Sequence, residues 1–324
     1  MNPQAISITA REHAELVPLA PLATLGPKEV RGNTIVTLVS PGTELSCNYL
    51  GTQFPSRVGY AAVFRATEVG AAVVGVQPGD LLFGMGNHQS VQQVDATSAV
   101  PVPQGLVPHE AVIARLMAVT MTTLMTTTAR PGDLVLVTGA GPVGYLGAHL
   151  FKQAGYTVHV VEPNASRREA VQRSGIAVTY PAIPVDDPQI KGRVALVVEC
   201  SGHEQSVLGA LRIVRKRGEV VLVGVPWKRG TDLSAHEILH AVFHNYAVLR
   251  SGWEWELPFH PSDFRPHSNT GCFGQALQWL HERRIPLEGL IERHSPRDAQ
   301  NVYQALLHGA ATGLFQVFDW NDDL

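Results

Sequence analysis

The rhythm of hydrophobic and polar positions changes between residues 109 and 131. Before that point the apolar runs are short and rich in β-branched residues. Residues 34–39 (TIVTLV) and 61–69 read as strands, separated by turn signals at Pro41-Gly42, Gly59 and Pro78-Gly79-Asp80. This is the texture of a compact, mostly β unit. The segment 109–129 contains no Gly or Pro and predicts one or two helices, although its threonines are poor helix formers. After Pro131-Gly132-Asp133 strands and helices alternate. Strands are predicted at 134–138, 157–161, 194–199, 219–223 and 246–250, with helices at 143–154, 165–174 and 204–215. Such alternation implies right-handed crossovers and a parallel sheet. Beyond Trp253 comes a Pro- and His-rich loop (258–270). A helix at 272–284 follows, with Phe273, Ala276, Leu277 and Leu280 on one face. A helix at 297–307 and a strand at 314–318 close the pattern, which shows no internal repeat.

Composition narrows the class. The chain has 324 residues, 45% hydrophobic and 16% charged, which excludes disorder and low-complexity classes and allows one large domain or two ordinary ones. A formal charge of −3 offers no basic field for a phosphate backbone, so no nucleic-acid partner is expected. Cys47, Cys200 and Cys272 are far apart and odd in number, which points to a reducing compartment. Met1–Arg11 lacks the features of a secretory leader, and a cytoplasmic location is expected. Residues 134–151 carry no charge, but their glycines, Pro142 and missing interfacial anchors make a poor membrane span.

That uncharged stretch has a better explanation. The strand 134–138 runs directly into Gly139-Ala140-Gly141-Pro142-Val143-Gly144 and an apolar helix. In this strand–turn–helix setting a G-x-G-x-x-G loop admits a pyrophosphate close to its backbone and presents it to a helix N-terminus. The next strand ends at Glu162, near the interval at which a carboxylate binds the ribose hydroxyls of NAD and repels the 2′-phosphate of NADP. Arg167 and Arg168 pull the other way, since a nearby arginine accommodates that phosphate. NAD is expected, with NADP the lesser alternative.

Taken together, PGDLVLVTGAGPVG (131–144), VVEP (160–163), VVECSG (197–202), GEVVLVGVP (218–226), SPGTELS (40–46) before GYAA (59–62), and the C-terminal pattern 276–313 resemble the medium-chain dehydrogenase/reductase superfamily, the alcohol-dehydrogenase-like proteins. The resemblance implies an α/β protein in which a doubly wound Rossmann domain (117–253) is inserted in a GroES-like, mostly β catalytic domain (1–116 plus 254–324). Substrate and nicotinamide would meet in the cleft between them. It further implies that Ser201 and Gly202 lie near the cofactor's ribose region and that Val223, Gly224 and Val225 face the nicotinamide carboxamide. A homodimer through Rossmann-domain edges is expected on the same ground.

The departures from the family pattern bear on chemistry. Pro41, Tyr60 and Arg115 stand where zinc-dependent relatives carry metal ligands, and the lobe with four structural cysteines is missing. A zinc site needs deprotonatable N, S or O ligands, so no catalytic zinc is expected. By the resemblance Thr43 holds the proton-relay position, while Tyr60 and Arg115 point into the same cavity. Tyrosine can shuttle a proton, and a fixed guanidinium can stabilise a developing alkoxide. Glu44 reads either as a base or as a structural carboxylate bonding backbone N–H groups. His88, after the Gly84–Gly86 turn, reads either as a cleft residue or as a surface-loop histidine.

One motif competes. His236-Glu237-Ile238-Leu239-His240, extended by His244, is a literal H-E-x-x-H whose histidines share a helical face as zinc ligands do. Its place between two sheet strands leaves no room for a zincin fold. The aromatic and imidazole side chains of 252–270 (Trp253, Trp255, His260, His267) suit either a sugar-like or cyclitol substrate or, equally, a subunit contact or simple packing. The sequence thus supports a zinc-independent, NAD(H)-dependent oxidoreductase acting on a hydroxyl or carbonyl of a polar small molecule. The hydride is either exchanged with net turnover or cycled internally. The alternatives are an NAD-binding regulator and a metal-dependent enzyme built on His236, Glu237 and His240.

Overall fold

The computed structural model describes residues 3–321. They form two compact units. The first holds the chain up to Arg115 together with Phe273–Arg283 and Leu287 onward, and the second holds Leu116–Cys272 and Arg284–Pro286.

Unit 1 is built on a mostly antiparallel sheet. Its strands run Ile291–His294, Phe315–Asp319, Glu29–Leu38, Ala61–Val69, Leu81–Gly84 and Val100–Pro101, with Val91–Asp95 also pairing to Glu29–Leu38. Glu29–Leu38 is the long central strand, and its inward Val30, Val36 and Leu38 are fully buried. A smaller sheet joins His13–Pro18, Gln4–Ala10 and Ser56–Arg57. The hydrophobic pattern does not announce this hairpin. Its inward set, Ile6, Ile8, Ala14 and the half-buried Leu16, is covered by Val302, Tyr303, Phe318 and Trp320 from the other end of the chain. A short apolar set becomes a strand here because a remote helix, Ala299–Leu307, gives it something to bury against.

Unit 2 is a six-stranded sheet in which every neighbouring pair is parallel. The spatial order is Val178–Tyr180, Thr157–Val161, Leu134–Thr138, Val194–Glu199, Val214–Leu222, Val248–Ser251. Numbered along the chain from Leu134, that is 3-2-1-4-5-6, the doubly wound Rossmann order. Leu136, Val137, Val197 and Val198 are wholly buried, as central parallel strands covered on both faces must be. The crossover helices are Pro142–Gln153, Ala165–Arg173, Glu204–Ile213 and Ala235–Asn245. Among the described residues no helix is long and apolar enough to cross a membrane, and the uncharged 134–151 stretch divides into a strand, a turn and a helix.

The segment 254–272, expected with the β unit, packs with unit 2 instead. Asn269 Nδ2 donates to Leu257 O at 3.1 Å, and Thr122 Oγ1 donates to Glu254 O at 3.4 Å. Ser268 then opens the helix Asn269–His281, its hydroxyl accepting from Gly271 N at 3.1 Å, which starts that helix earlier than its apolar face suggests.

A buried histidine makes unit 2 acid-sensitive. His149 on the helix Pro142–Gln153 is 2% exposed, and its Nε2 lies 2.9 Å from Ser174 Oγ. The Ser174 hydroxyl donates to Val171 O, so the histidine is the donor of this pair and is neutral at Nδ1. Burial, with Lys152 nearby, pushes its pKa down to about 4. Between pH 6.5 and about 4 the unfolded chain therefore takes up a proton that the folded chain refuses, and stability falls with pH across that window. From pH 6.5 to 5 the loss is on the order of 2 kcal/mol. The urea midpoints of the wild type and His149→Gln at pH 7 and pH 5 should converge on acidification. Parallel shifts would show that this histidine does not drive the loss.

Candidate active site

The strand order of unit 2 reverses between Leu134–Thr138 and Val194–Glu199, and it is there that turns converge at the strands' C-terminal ends. Gly139 has φ +82° and begins the turn, its N–H bonded to Val161 O at 2.7 Å. Gly144 touches the turn from the first helical residues. A Cβ there would stand 1.8 Å from Gly139 O, so only glycine closes this contact. At Gly141, by contrast, a Cβ would meet nothing within 4 Å. The helix opens at this open point with Pro142 and Val143 in its first turn and no side chain capping Gly141 among the described residues. Open space over helical N–H groups fits the pyrophosphate of a dinucleotide.

Glu162 stands at the end of the neighbouring strand, 5% exposed. One carboxylate oxygen accepts from Ala140 N at 2.7 Å and the other from Asn164 N at 2.8 Å. The carboxylate thus braces the glycine turn from behind, and its remaining lone pairs suit the ribose hydroxyls of a dinucleotide. The Arg168 guanidinium turns back onto the carbonyls of Glu162 and Pro163, whereas Arg167 is exposed.

A residue that sequence reasoning passed over organises the third turn. Glu199 is fully buried at its strand end. Its carboxylate accepts from Thr138 Oγ1 at 3.1 Å, Ser201 N at 2.9 Å and Gly202 N at 3.0 Å, and from the Ser201 hydroxyl. Its only sequence signal is an acid at the end of an all-apolar strand. Val223 N and Gly224 N both donate to Glu199 O, so the Val223–Val225 turn packs on the same corner. A Cβ on Gly202 would lie 2.7 Å from Val225 O, and one on Gly139 would lie 3.1 Å from Ser201 N. The sequence-assigned cofactor residues Gly139–Gly144, Glu162, Ser201, Gly202 and Val223–Val225 are therefore one cluster, with Arg167 at its edge.

Unit 1 holds the remaining candidates. The Arg115 guanidinium carbon lies 3.9 Å from the centre of the Tyr60 ring and 5.8 Å from that of Phe273, and Arg115 is fully buried. Two positions far apart in sequence are brought into a cation–π stack. Thr43 ends the short helix Pro41–Thr43 and is half-buried.

Glu44 and His88 go elsewhere, into a closed polar chain. Trp320 Nε1 donates to Thr37 Oγ1 at 3.0 Å, and Thr37 Oγ1 lies 2.7 Å from His88 Nδ1. His88 Nε2 lies 3.1 Å from Glu44 Oε2, which also accepts the Tyr303 hydroxyl, while Glu44 Oε1 accepts Ser40 N at 2.8 Å. Donors and acceptors match throughout with a proton on His88 Nε2 facing Glu44. His88 is wholly buried, which fits neither a surface loop nor an open cleft. Glu44 is 2% exposed and braces the Ser40–Thr43 turn through a backbone N–H. Burial with the Glu44 charge alongside raises the Tyr303 phenol well above its ordinary range, which keeps it a donor.

The residues at the three expected zinc positions do not fit the metal: the Pro41 side chain offers no ligating atom, the Arg115 guanidinium offers N–H donors and no lone pair, and Tyr60 lies beneath that guanidinium. The H-E-x-x-H motif lies on the helix Ala235–Asn245 with His236, Glu237, His240 and His244 exposed. Among the described residues no group of three His, Cys, Asp or Glu side chains is placed to hold a metal. In the 252–270 stretch Leu257 and Glu254 are buried, while Trp253, His260, Phe264 and His267 are exposed.

Residues 111–252 match the family described as glucose dehydrogenase C-terminus. Over 220 residues the chain is 29% identical to a sorbitol dehydrogenase of Halalkalibacterium halodurans, covering 65% of this chain and 59% of that one. Over 146 residues it is 26% identical to an L-galactonate-5-dehydrogenase of Escherichia coli, covering 43% of each. The chain thus spans about half the length of these curated relatives. The crystal structure of galactitol-1-phosphate dehydrogenase from Escherichia coli superposes with a TM-score of 0.82 at 16% identity, over 98% of this chain and 99% of that one, a likeness of fold. The Rossmann strand order, the glycine turn braced by Glu162 and the mostly β unit drawn from both ends of the sequence agree with these similarities to sugar and polyol dehydrogenases of the alcohol-dehydrogenase-like fold.

Proposed function

We propose that the protein is an NAD(H)-dependent oxidoreductase that interconverts a hydroxyl and a carbonyl on a polar small molecule of the sugar, polyol or cyclitol kind, without zinc at the family's usual position. The observation that carries this reading is the unit 2 cluster, in which three strand-end turns close around an uncapped helix N-terminus beside a buried carboxylate. Bound there, the nicotinamide supplies the hydride acceptor or donor. Gly139, Gly141 and Gly144 admit the pyrophosphate, and Glu162 accepts ribose hydroxyls and disfavours a 2′-phosphate. The names of the sorbitol and galactonate relatives support the substrate class.

The proton chemistry falls to unit 1. Tyr60 gives or takes the hydroxyl proton, and Arg115 above its ring favours negative charge on the reacting oxygen. Thr43 relays that proton, and Glu44 acts by holding the turn that carries Thr43. Tyr60→Phe keeps the ring beneath the guanidinium and removes only the hydroxyl. Nicotinamide absorbance with a panel of polyols, cyclitols and ketones should show chelator-insensitive turnover, with kcat about 100-fold lower in Tyr60→Phe and KM little changed. Full activity in that variant would sink the assignment of Tyr60, and turnover abolished by chelator would sink the zinc-free reading. A homodimer joined along the outer strand Val248–Ser251, beside exposed Tyr246 and Val248, belongs to the same reading and is decided by light scattering.

A further inference from the structure

The groove between the helices Glu204–Ile213 and Ala235–Asn245 is an open cavity of about 350 Å³, lined by Arg212, His236, Glu237, His240, His244 and Asn245. None of these residues belongs to the nucleotide cluster. Three histidines recur at i, i+4 and i+8, so successive rings face one another one helical turn apart. The His240 and His244 rings have centroids 4.1 Å apart at 38°, and the His236 and His240 rings 6.0 Å apart at 53°.

Those separations suit a shared ion. An imidazole nitrogen binds zinc at about 2.0–2.1 Å, which places the ring centroid roughly 3 Å from the metal and lets two rings on one ion sit up to about 6.5 Å apart. A cis pair on one ion sits about 4.5–5 Å apart, so His240 and His244 at 4.1 Å reach that geometry with a small ring rotation, whereas the 6.0 Å pair would have to span the ion nearly trans. The one cation lining the groove, Arg212, is 4.0 Å from the Glu237 carboxylate, so its charge is offset within the groove. A polar groove with three imidazoles on one helix face and an offset guanidinium suits a borderline transition metal better than an anion. Rigid helical backbone also preorganises the pair, since Ser234 caps the helix start and Tyr246, with φ +53°, ends it.

We infer that His240 and His244 form a two-imidazole chelate for a borderline divalent cation such as Zn²⁺ or Ni²⁺, with water completing its shell and His236 as the next rung. The site binds metal on the outer helix of unit 2 and needs no third protein ligand. No hydrolytic step follows from it. Chelation fastens the last two turns of the helix that leads into the outer strand Val248–Ser251, so metal raises the thermal midpoint.

The test is a calorimetric titration of Zn²⁺ and of Ni²⁺ into the full, untagged, chelator-stripped chain, with thermal melts alongside. One equivalent should bind with micromolar affinity and raise the midpoint by roughly 2–4 °C. His240→Ala should weaken binding at least 10-fold, His244→Ala similarly and His236→Ala less, while His260→Ala, an exposed histidine elsewhere, should change nothing. These side chains are exposed, so the variants should fold, and unchanged circular dichroism in each confirms it. Absence of saturable binding would overturn the inference. So would binding that survives both His240→Ala and His244→Ala, or a midpoint raised by inorganic phosphate and not by either metal.

Discussion

Gly144→Ala should abolish measurable dinucleotide binding, at least 100-fold weaker by NADH fluorescence titration, and cost about 2–4 kcal/mol of stability in urea. The added methyl would lie 1.8 Å from Gly139 O, a backbone atom that cannot swing aside as a side chain can. The turn must open, and with it goes the contact between helix and strand that aims the N–H groups. Gly141→Ala provides the contrast. Its φ of −68° suits any residue, and its Cβ would meet no protein atom within 4 Å, so the urea midpoint should stay put. On the proposed reading dinucleotide affinity should still fall about 10-fold or more, because a methyl group there would fill the space offered to the pyrophosphate. One glycine thus serves packing and the other serves the ligand. Equal effects of the two substitutions on stability would contradict this division, and undiminished affinity in Gly141→Ala would remove the pyrophosphate from the loop.

The second large effect is expected in unit 1. Glu44→Ala should cost about 3–5 kcal/mol, because it strips three donors at once in a region closed to water. Ser40 N–H, Tyr303 O–H and His88 Nε2–H would all be left buried without their acceptor. Glu44→Gln keeps the shape but replaces half of the acceptor capacity with a donor, so it should recover only part of the loss. His88→Leu removes one donor and leaves Thr37 Oγ1 still accepting from Trp320, and should cost less. A Glu44/His88 double-mutant cycle in urea should show a coupling of about 1–3 kcal/mol. Strict additivity would mean that the two side chains do not act as one network. Because Glu44 holds the Ser40–Thr43 turn, Glu44→Gln should also lower kcat more than it raises KM.

These two predictions rest on different kinds of information. The glycine turn could be read from the linear chain because its parts are local: an apolar strand, three glycines and an apolar helix lie within about 20 consecutive residues. Backbone conformation at such a place depends on which residues lack a Cβ, and that is written in the sequence. The parallel sheet was legible for a similar reason, since strands buried on both faces, such as Leu134–Thr138 and Val194–Glu199, need continuous apolar runs that stand out from any background. Glu162 was legible by its distance from the glycines, though not its grip on Ala140 N.

What the linear chain could not convey was partnership across long separations. Ile6 and Ile8 make a strand only because Val302, Tyr303 and Trp320 cover them. Glu44 and His88 each admitted two readings on their own, and a third set of partners, Thr37, Trp320 and Tyr303, determines their surroundings. Glu199 looked like an ordinary strand end until the Thr138 and Ser201 donors were in place around it. The helical periodicity of His236, His240 and His244 was written in the sequence, but whether they faced a core, a metal cage or an open groove was not. The residues themselves determined which segments are strands and helices and where a nucleotide's phosphates can approach, because those properties follow from local sterics and burial period. The tertiary structure decided which polar side chains are closed away and which remain open to chemistry, because desolvation and hydrogen-bond satisfaction are properties of what surrounds a group.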